Sequence, residues 1–402
     1  MKPRIHVEKK YLLRKHSELI FICEHSFPDG SAQSTRIKNM AIGISGLVLS
    51  VTVFAKYYLN DDDISWRSGV TIIPTHLENI KKRKSFIKFI IDKLFSIKIF
   101  NELIKYQCKQ ESTFVYLSTA SPLTLLGVFL VCRFKGYRLL TDLGEWFPWP
   151  ASLMNLASFS YFRHVVFRWM SIRLSNYIVA ISSSIKSKCV DSGVAVIIIP
   201  SIAPYRDDSA DILTTRKGNF FYAGILKKED GFGNLLLALY KLFLNGYNIS
   251  LTTCGGFSED AIKECCISCG IPESFAIEKV KHLFWLPNTA YRSLLQSSSL
   301  VLMPRPLEHA ANITSFPTRL AEALSFAAPV AIANVGDIRN YLTPNMDFLD
   351  LGLGTSEEIY FALKSWLDNP QAYQNMGLNG YFNSRKYFDV DINMTRLIEF
   401  II

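Results

Sequence analysis

Arg305, Arg319 and Glu322, in the last third of the chain, are residue types that can grip a phosphate ester and a sugar hydroxyl. An arginine offers a planar fork that matches phosphate oxygens, and a carboxylate accepts hydrogen bonds from hydroxyls. The stretch SFPTRLAEALSFAAPVAIANVGD, Ser315 to Asp337, shows how a helix would present them. Pro317 suits a first helical turn, where its missing N–H costs nothing, and Ser315 is expected to cap it. Leu320, Leu324 and Ala327, spaced i, i+4, i+7, predict a core stripe. Glu322 then falls about 200° from Leu320, sharing a polar face with Thr318 and Ser315, with Arg319 beside it. Free N–H groups and the positive dipole end make such a terminus an anion site. The plain alternative is an i, i+3 Arg319–Glu322 surface pair on an ordinary capped helix.

Two further loops converge on this one. YAGILKKEDGFGNLLLALYKL, Tyr222 to Leu242, reads as strand, glycine turn, helix. Gly224 there allows close backbone approach to a ligand, and Lys227 and Lys228 follow it. Arg305 stands just after a strand, in the loop leading to the helix that carries Arg319. Three loops thus bring Lys227 or Lys228, Arg305 and Arg319 to one edge of one sheet.

The elements that must position these residues alternate along the whole chain. Leu19–Cys23, Leu47–Phe54, Phe114–Leu117, Tyr137–Leu140 and Tyr177–Ile181 are short apolar runs that predict buried strands. After a Pro-containing, charged stretch, IIIPSIAPYRDDSADILTTRKG, expected to be a linker, the pattern restarts. It continues with Asn219–Tyr222, Ile249–Thr252, Ala276–Glu278, Leu300–Leu302 and Pro329–Ala333. Strands alternating with amphipathic stretches predict an α/β fold of parallel, doubly wound sheets. With 402 residues, two domains are expected, and a cleft between two such domains is the default ligand site.

The totals narrow the partners. A net charge of +9 favours a negatively charged partner, but nucleic-acid binding has only that charge in its favour. Of the eight cysteines only Cys265, Cys266 and Cys269 cluster, without the second ligand pair that zinc requires, so reduced cytosolic thiols are expected. The charged N-terminus, without a clean apolar stretch, is not expected to be a signal peptide. Phe114 to Cys132 is long enough to suggest a membrane span, but Ser118, Thr119, Ser121, Pro122 and Thr124 predict a strand, a polar turn and a helix beginning near Pro122. The acidic run NDDD, Asn60–Asp63, is read as solvated rather than as a metal site, and no metal is expected.

The second half resembles the family 4 glycosyltransferases of the GT-B fold. The residues that carry this are Tyr222, Gly224, Leu226, Gly231, Leu235, Leu236 and Ala238; then Pro304-Arg305, Ser315-Phe316-Pro317-Thr318-Arg319-Leu320, Glu322 and Pro329-Val330. Ala327 stands where the family has a glycine. More weakly, FPDGSAQSTRIKNMAIGIS resembles the family's first glycine loop, with Gly30, Ser31, Ala32 and Arg36. Gly144-Glu145 lies where many members carry His-Glu, and YFDVDINMTRLIEFI resembles the last helix crossing back to the first domain.

The resemblance implies two Rossmann-like domains facing across a cleft. These are an acceptor-side domain of residues 1–203, joined by a helix at 387–402, and a nucleotide-sugar-binding domain of residues 204–386. It implies a metal-independent, cofactor-free transferase that uses a nucleotide-diphosphate sugar as substrate and retains configuration. Glu322 corresponds to the family's ribose-binding glutamate. The earlier glutamate of that motif is Thr314 here, and the usual phosphate-binding lysine is Asp230, so the arginines are expected to hold the diphosphate. Arg305, Arg319 and Glu322 are the expected catalytic set. Gly30, Ser31, Glu145, Gly224, Lys227, Lys228 and Thr314–Thr318 (Ser315, Phe316 and Pro317 between) are the expected substrate contacts.

Finally, Lys81 to Gln107 carries eight basic and two acidic side chains beside an apolar face of Phe86, Ile90, Leu94 and Ile97. It reads either as a core-packed helix with a wet basic face or as an interfacial helix on anionic lipid. The expected protein is a cytoplasmic glycosyltransferase, peripheral on the inner face of the plasma membrane. It would act on a glycan or lipid-linked glycan acceptor in bacterial surface polysaccharide assembly. A nucleotide-sugar epimerase and a non-catalytic nucleotide-sugar or lipid binder are the alternatives.

Overall fold

The structure is a computed structural model, describing residues 17–28, 31–58, 69–75, 100–107, 112–118, 121–146, 159–205, 219–226 and 228–402. Gly30, Asn60–Asp63, residues 81–99 and Lys227 lie outside the described residues. The chain divides into two compact units: Met1–Ile202 with Val390–Ile402, and Ala203–Asp389.

Unit 1 is built on a parallel sheet of β1 (Ser17–Phe27), β2 (Ser50–Tyr58), β3 (Val70–Pro74), β4 (Ser112–Leu117), β5 (Arg138–Leu143), β6 (Tyr177–Ala180) and β7 (Ala195–Ile198). The order is β3-β2-β1-β4-β5-β6-β7. Leu19 to Cys23 is buried on both faces, as a central parallel strand must be when helices cover both sides. The helices are α1 (Ala32–Ser45), α2 (Pro122–Lys135), α3 (Phe159–Leu174) and α4 (Ser183–Val190). The chain moves one way from β1 to β3 and the other way from β4 to β7. Right-handed crossovers therefore put α1 on one face and α2 and α3 together on the other.

Unit 2 repeats the plan. Its strands are β8 (Asn219–Ala223), β9 (Ser250–Cys254), β10 (Val280–Leu283), β11 (Leu300–Met303), β12 (Val330–Ile332) and β13 (Leu349–Asp350). They are ordered β10-β9-β8-β11-β12-β13, all parallel. The helices between them are α5 (Phe232–Leu244), α6 (Glu259–Ser268), α7 (Glu273–Lys279), α8 (Asn288–Ser297), α9 (Ala310–Thr314), α10 (Thr318–Ser325), α11 (Ile338–Tyr341), α12 (Ser356–Asp368) and α13 (Met376–Phe388). The final helix α14 (Val390–Ile401) returns to unit 1 and packs on α1. Gly43 permits this, since a Cβ there would lie 2.8 Å from Val390 Cγ2.

The sequence reading differs from the structure in three places. Ala276–Glu278 is helical, within α7, and the strand begins at Val280; the short apolar run was compatible with either period. Ile197 and Ile198 end β7 rather than opening a linker. The α10 helix begins at Thr318, with Pro317 at its N-cap and no side-chain cap, so Ser315 does not cap it. Phe114 to Cys132 holds, as expected, a strand that ends at Leu117 and a helix that begins at Pro122. Among the described residues no helix is long and apolar enough to cross a membrane.

Candidate active site

In unit 2 the strand order reverses between β8 and β11. That is the position where open α/β sheets leave a crevice beyond their carboxyl ends. The loops after β8 and β11 meet there. Arg305 Nη2 donates to Asp230 Oδ1 at 3.0 Å, and Nη1 donates to Ser315 Oγ at 3.3 Å. Arg319 Nη1 donates to the Ala223 carbonyl, which ends β8. Asn312, almost fully buried, donates from Nδ2 to the Glu229 carbonyl at 2.8 Å and the Pro306 carbonyl at 2.9 Å. Gly231 has φ 73°, and a Cβ there would lie 2.7 Å from Pro306 Cδ and 3.1 Å from the Arg305 nitrogen. Only glycine permits that closeness in that conformation.

The two arginines therefore lie beside the loops after β8 and β11, with Glu322 one turn further along α10, and each already holds a partner. Asp230, in the place of the resembled family's lysine, forms an ion pair with Arg305 and partly neutralises it. Glu322 is hydrogen-bonded by the Tyr291 hydroxyl. Burial first, and the Glu322 charge second, hold that hydroxyl well above its ordinary pKa, so it remains a donor. Tyr291 went unnoticed in the sequence, because an aromatic on an amphipathic helix reads as core. Asn312 went unnoticed too, because its role is to tie loops distant in sequence.

The remaining expected contacts sort by burial. Phe316 is buried against Tyr341 and Phe388, with ring centroids 5.8 and 5.3 Å away. Thr314 is also buried. Lys228 is exposed at the start of a short 3-10 turn that ends at Asp230. Gly224 is packed tightly: a Cβ would lie 2.5 Å from the Tyr222 hydroxyl, which folds back to donate to the Ile225 carbonyl at 2.9 Å. In unit 1, Ser31 caps α1, its Oγ accepting from the Ser34 nitrogen at 3.1 Å. Glu145 is exposed just past β5. Arg36 is buried, bonded to Asp142 at 2.8 Å and to the Pro200 carbonyl at 2.6 Å, and so serves as a clamp inside unit 1.

Nearby, β10 ends in exposed aromatics: Phe284 is 60% and Trp285 64% exposed. Trp285 lies over Gly256, where a Cβ would be 3.1 Å from its ring. In the cysteine cluster, burial pushes the Cys265 thiol up to about 12 and Cys266 to about 11, which favours the protonated form of both. Among the described residues no three His, Cys, Asp or Glu side chains gather as metal donors.

This fold is that of the GT-B glycosyltransferases. Residues 252–399 match a family model described as glycosyl transferase-like. Sucrose-phosphate synthase from Thermosynechococcus elongatus superposes with a TM-score of 0.71 at 13% identity, over 96% of this chain and 99% of that one. HepE from Anabaena, solved with UDP and glucose, gives 0.67 at 13% identity, over 95% and 98%. WaaG, a glycosyltransferase involved in lipopolysaccharide biosynthesis, gives 0.65 at 12% identity, over 95% and 99%. No curated protein sequence matches. The family model thus matches the second half of the chain, and the solved structures match its fold over nearly its full length.

Proposed function

We propose that this protein transfers a sugar, with retention, from a nucleotide-diphosphate sugar to a glycan or lipid-linked glycan acceptor in surface polysaccharide synthesis at the inner face of the plasma membrane. The observation that carries the reading is the convergence of Arg305 and Arg319 on the carboxyl edge of the unit 2 sheet at its reversal point, with Glu322 one turn further along α10. The α5 and α10 helices both begin at that edge without a side-chain cap, which leaves N–H groups available to an anion. Structures of the same fold hold UDP and UDP-glucose.

In this reading the diphosphate lies against the starts of α5 and α10. Arg305 and Arg319 stabilise the charge that develops on the departing diphosphate, most strongly where water is excluded. Glu322, oriented by Tyr291, accepts hydrogen bonds from the ribose. A phosphate oxygen of the leaving group takes the acceptor proton, so neither a metal nor a side-chain base is required. Trp285 offers an exposed aromatic face to the base.

The non-catalytic reading is kept because Thr314 replaces the expected glutamate and Asp230 already holds Arg305. A panel of UDP, GDP and dTDP sugars tests both. A donor that raises the melting temperature marks binding to the folded state. Sugar release or transfer from that donor marks catalysis, and binding without either favours the non-catalytic reading. No shift with any donor would overturn the proposal.

A further inference from the structure

Unit 1 carries a feature that the transfer reaction does not use. On α2, Leu123, Leu126, Leu130 and Phe134 lie within about 80° of one another around the helix, and all are exposed, Leu130 by 57% and Phe134 by 87%. On α3, Phe162, Trp169 and Arg173 share a similar stripe. Phe162 is 62% exposed and Trp169 55%, and the Arg173 guanidinium lies 4.4 Å above the Trp169 ring. The two helices pack side by side on one face of the sheet, so their outer stripes form one surface. Soluble surfaces seldom expose so many large apolar side chains together without a partner.

The charge on the two helices has one sign. Neither helix contains an aspartate or a glutamate. Arg133 and Arg163 are exposed beside the apolar stripes, and Arg168 stacks 4.0 Å over the Trp146 ring. The helical turn at residues 100–105 lies alongside, with the Phe100 ring over Gly127, where a Cβ would be 1.8 Å from it. Ile104 adds an exposed apolar side chain there. The basic run from Lys81 therefore leads in sequence directly to this face.

We infer that the outer face of α2 and α3 docks on an anionic lipid bilayer. Leucine, phenylalanine and tryptophan side chains enter the headgroup and acyl boundary, while the arginines reach lipid phosphates. The two helices carry no acid, and the one carboxylate on the adjoining turn, Glu102, is paired with Lys105, so the face suits a uniformly anionic bilayer better than a protein surface of mixed charge. The inference is independent of the donor site, because it concerns only unit 1.

Vesicle co-sedimentation of the full chain tests it. Parent protein should bind phosphatidylglycerol–phosphatidylcholine vesicles at least tenfold more than phosphatidylcholine alone, and should release at high salt. Combining Leu126→Gln, Leu130→Gln, Phe134→Gln and Trp169→Gln should cut binding tenfold or more. Arg133→Gln with Arg173→Gln should cut it severalfold and flatten the salt response. Melting temperature and its shift with the donor should stay at parent values; the single variant Phe134→Glu provides a further check with minimal risk to folding. Equal vesicle binding by parent and the fourfold variant would overturn the inference. So would equal binding to charged and neutral vesicles, or a parent that ignores vesicles but forms a dimer that the variant dissolves.

Discussion

At the carboxyl edge of the unit 1 sheet, side chains close the starts of α1, α2 and α4, whereas at the unit 2 edge α5 and α10, beside the reversal point, begin without a side-chain cap. In unit 1, Ser31 caps α1, Ser121 caps α2 and Ser182 caps α4. Glu24 also accepts from the Ser121 nitrogen at 3.0 Å and from the Thr124 hydroxyl, placing a carboxylate on the start of α2. In unit 2, α5 starts at Gly231 and α10 at Pro317, neither with a side-chain cap. Away from that loop cluster, α6 and α12 are capped by Ser258 and Thr355, while α7, α8 and α11 are not. An open start therefore gains meaning only where cations converge on it. The two sheets share one winding but differ at their edges: in unit 1 a carboxylate and three serines close the helix starts, whereas in unit 2 the carboxylate of Asp230 pairs with Arg305 and no side chain caps α5 or α10. Under the proposed function, the uncapped, arginine-bordered edge of unit 2 is the one that takes the anionic donor.

The sharpest way to break the comparison is to remove the unit 2 cations. Arg319→Ala and Arg305→Ala should each lower turnover about 100-fold, the cost of removing one preorganised charge donor from a transition state. Their effect on donor binding should be smaller, because charge on the leaving group peaks in the transition state. Steady-state kinetics with the identified donor measures both. Normal turnover in both variants would place the diphosphate elsewhere.

Glu322→Gln should weaken donor binding by about 1–3 kcal/mol, the cost of unpairing a buried polar partner. Tyr291→Phe should cost less, about 0.5–1.5 kcal/mol, since it removes only the hydrogen bond that orients Glu322. Calorimetric titration with the nucleoside diphosphate measures both; a Tyr291→Phe loss larger than that of Glu322→Gln would reverse their assigned roles.

Asp230→Asn sharpens the comparison in the other direction. It keeps the side chain's shape but releases Arg305 from its ion pair. Donor affinity should rise by about 1 kcal/mol, the scale of a partly exposed ion pair, and the gain should shrink in high salt. Weaker binding would mean that Asp230 holds Arg305 in its working position.

The alternation of strands and helices was legible in the sequence because the two periods differ and the central strands are apolar on both faces. The convergence of Arg305, Arg319 and Glu322 was legible because helix and strand geometry carries a residue to a known end of its element. What each residue binds was not legible. The Arg305–Asp230 pair spans 75 positions and the Arg319–Ala223 bond spans 96, and no local pattern encodes such contacts. Ser315 misled for a related reason: its type suits a cap, but its hydroxyl is taken by Arg305.

Unit 1 should also be the pH-sensitive half. Burial first, and Lys56 second, hold His25 below its ordinary pKa; burial, then Arg163, does the same for His164. The unfolded chain binds these protons more readily than the folded one. Stability should therefore be unaffected above about pH 7 and should fall as pH drops through about 6.5. Melting curves at pH 5.5 and 7.5 measure this, and His25→Gln combined with His164→Gln should reduce the difference. An undiminished difference in that variant would assign the sensitivity to other groups.

The smallest expected effect concerns Ala327, where the resembled family carries glycine. The residue follows α10 with φ 50°, in the left-handed region. A Cβ there meets the following carbonyl, at a cost of about 1–2 kcal/mol. The position cannot easily relax, because the Ala327 carbonyl is packed against Gly377, where a Cβ would lie only 2.2 Å from it. Ala327→Gly removes the strain but gives the unfolded chain more freedom, worth about 0.5–1 kcal/mol against folding. The net result should be a gain of about 0.5–1 kcal/mol in stability with donor affinity unchanged. Chemical denaturation measures the first and titration the second. A loss of stability would mean that the Ala327 methyl, which is buried, contributes more by packing than its backbone loses by strain.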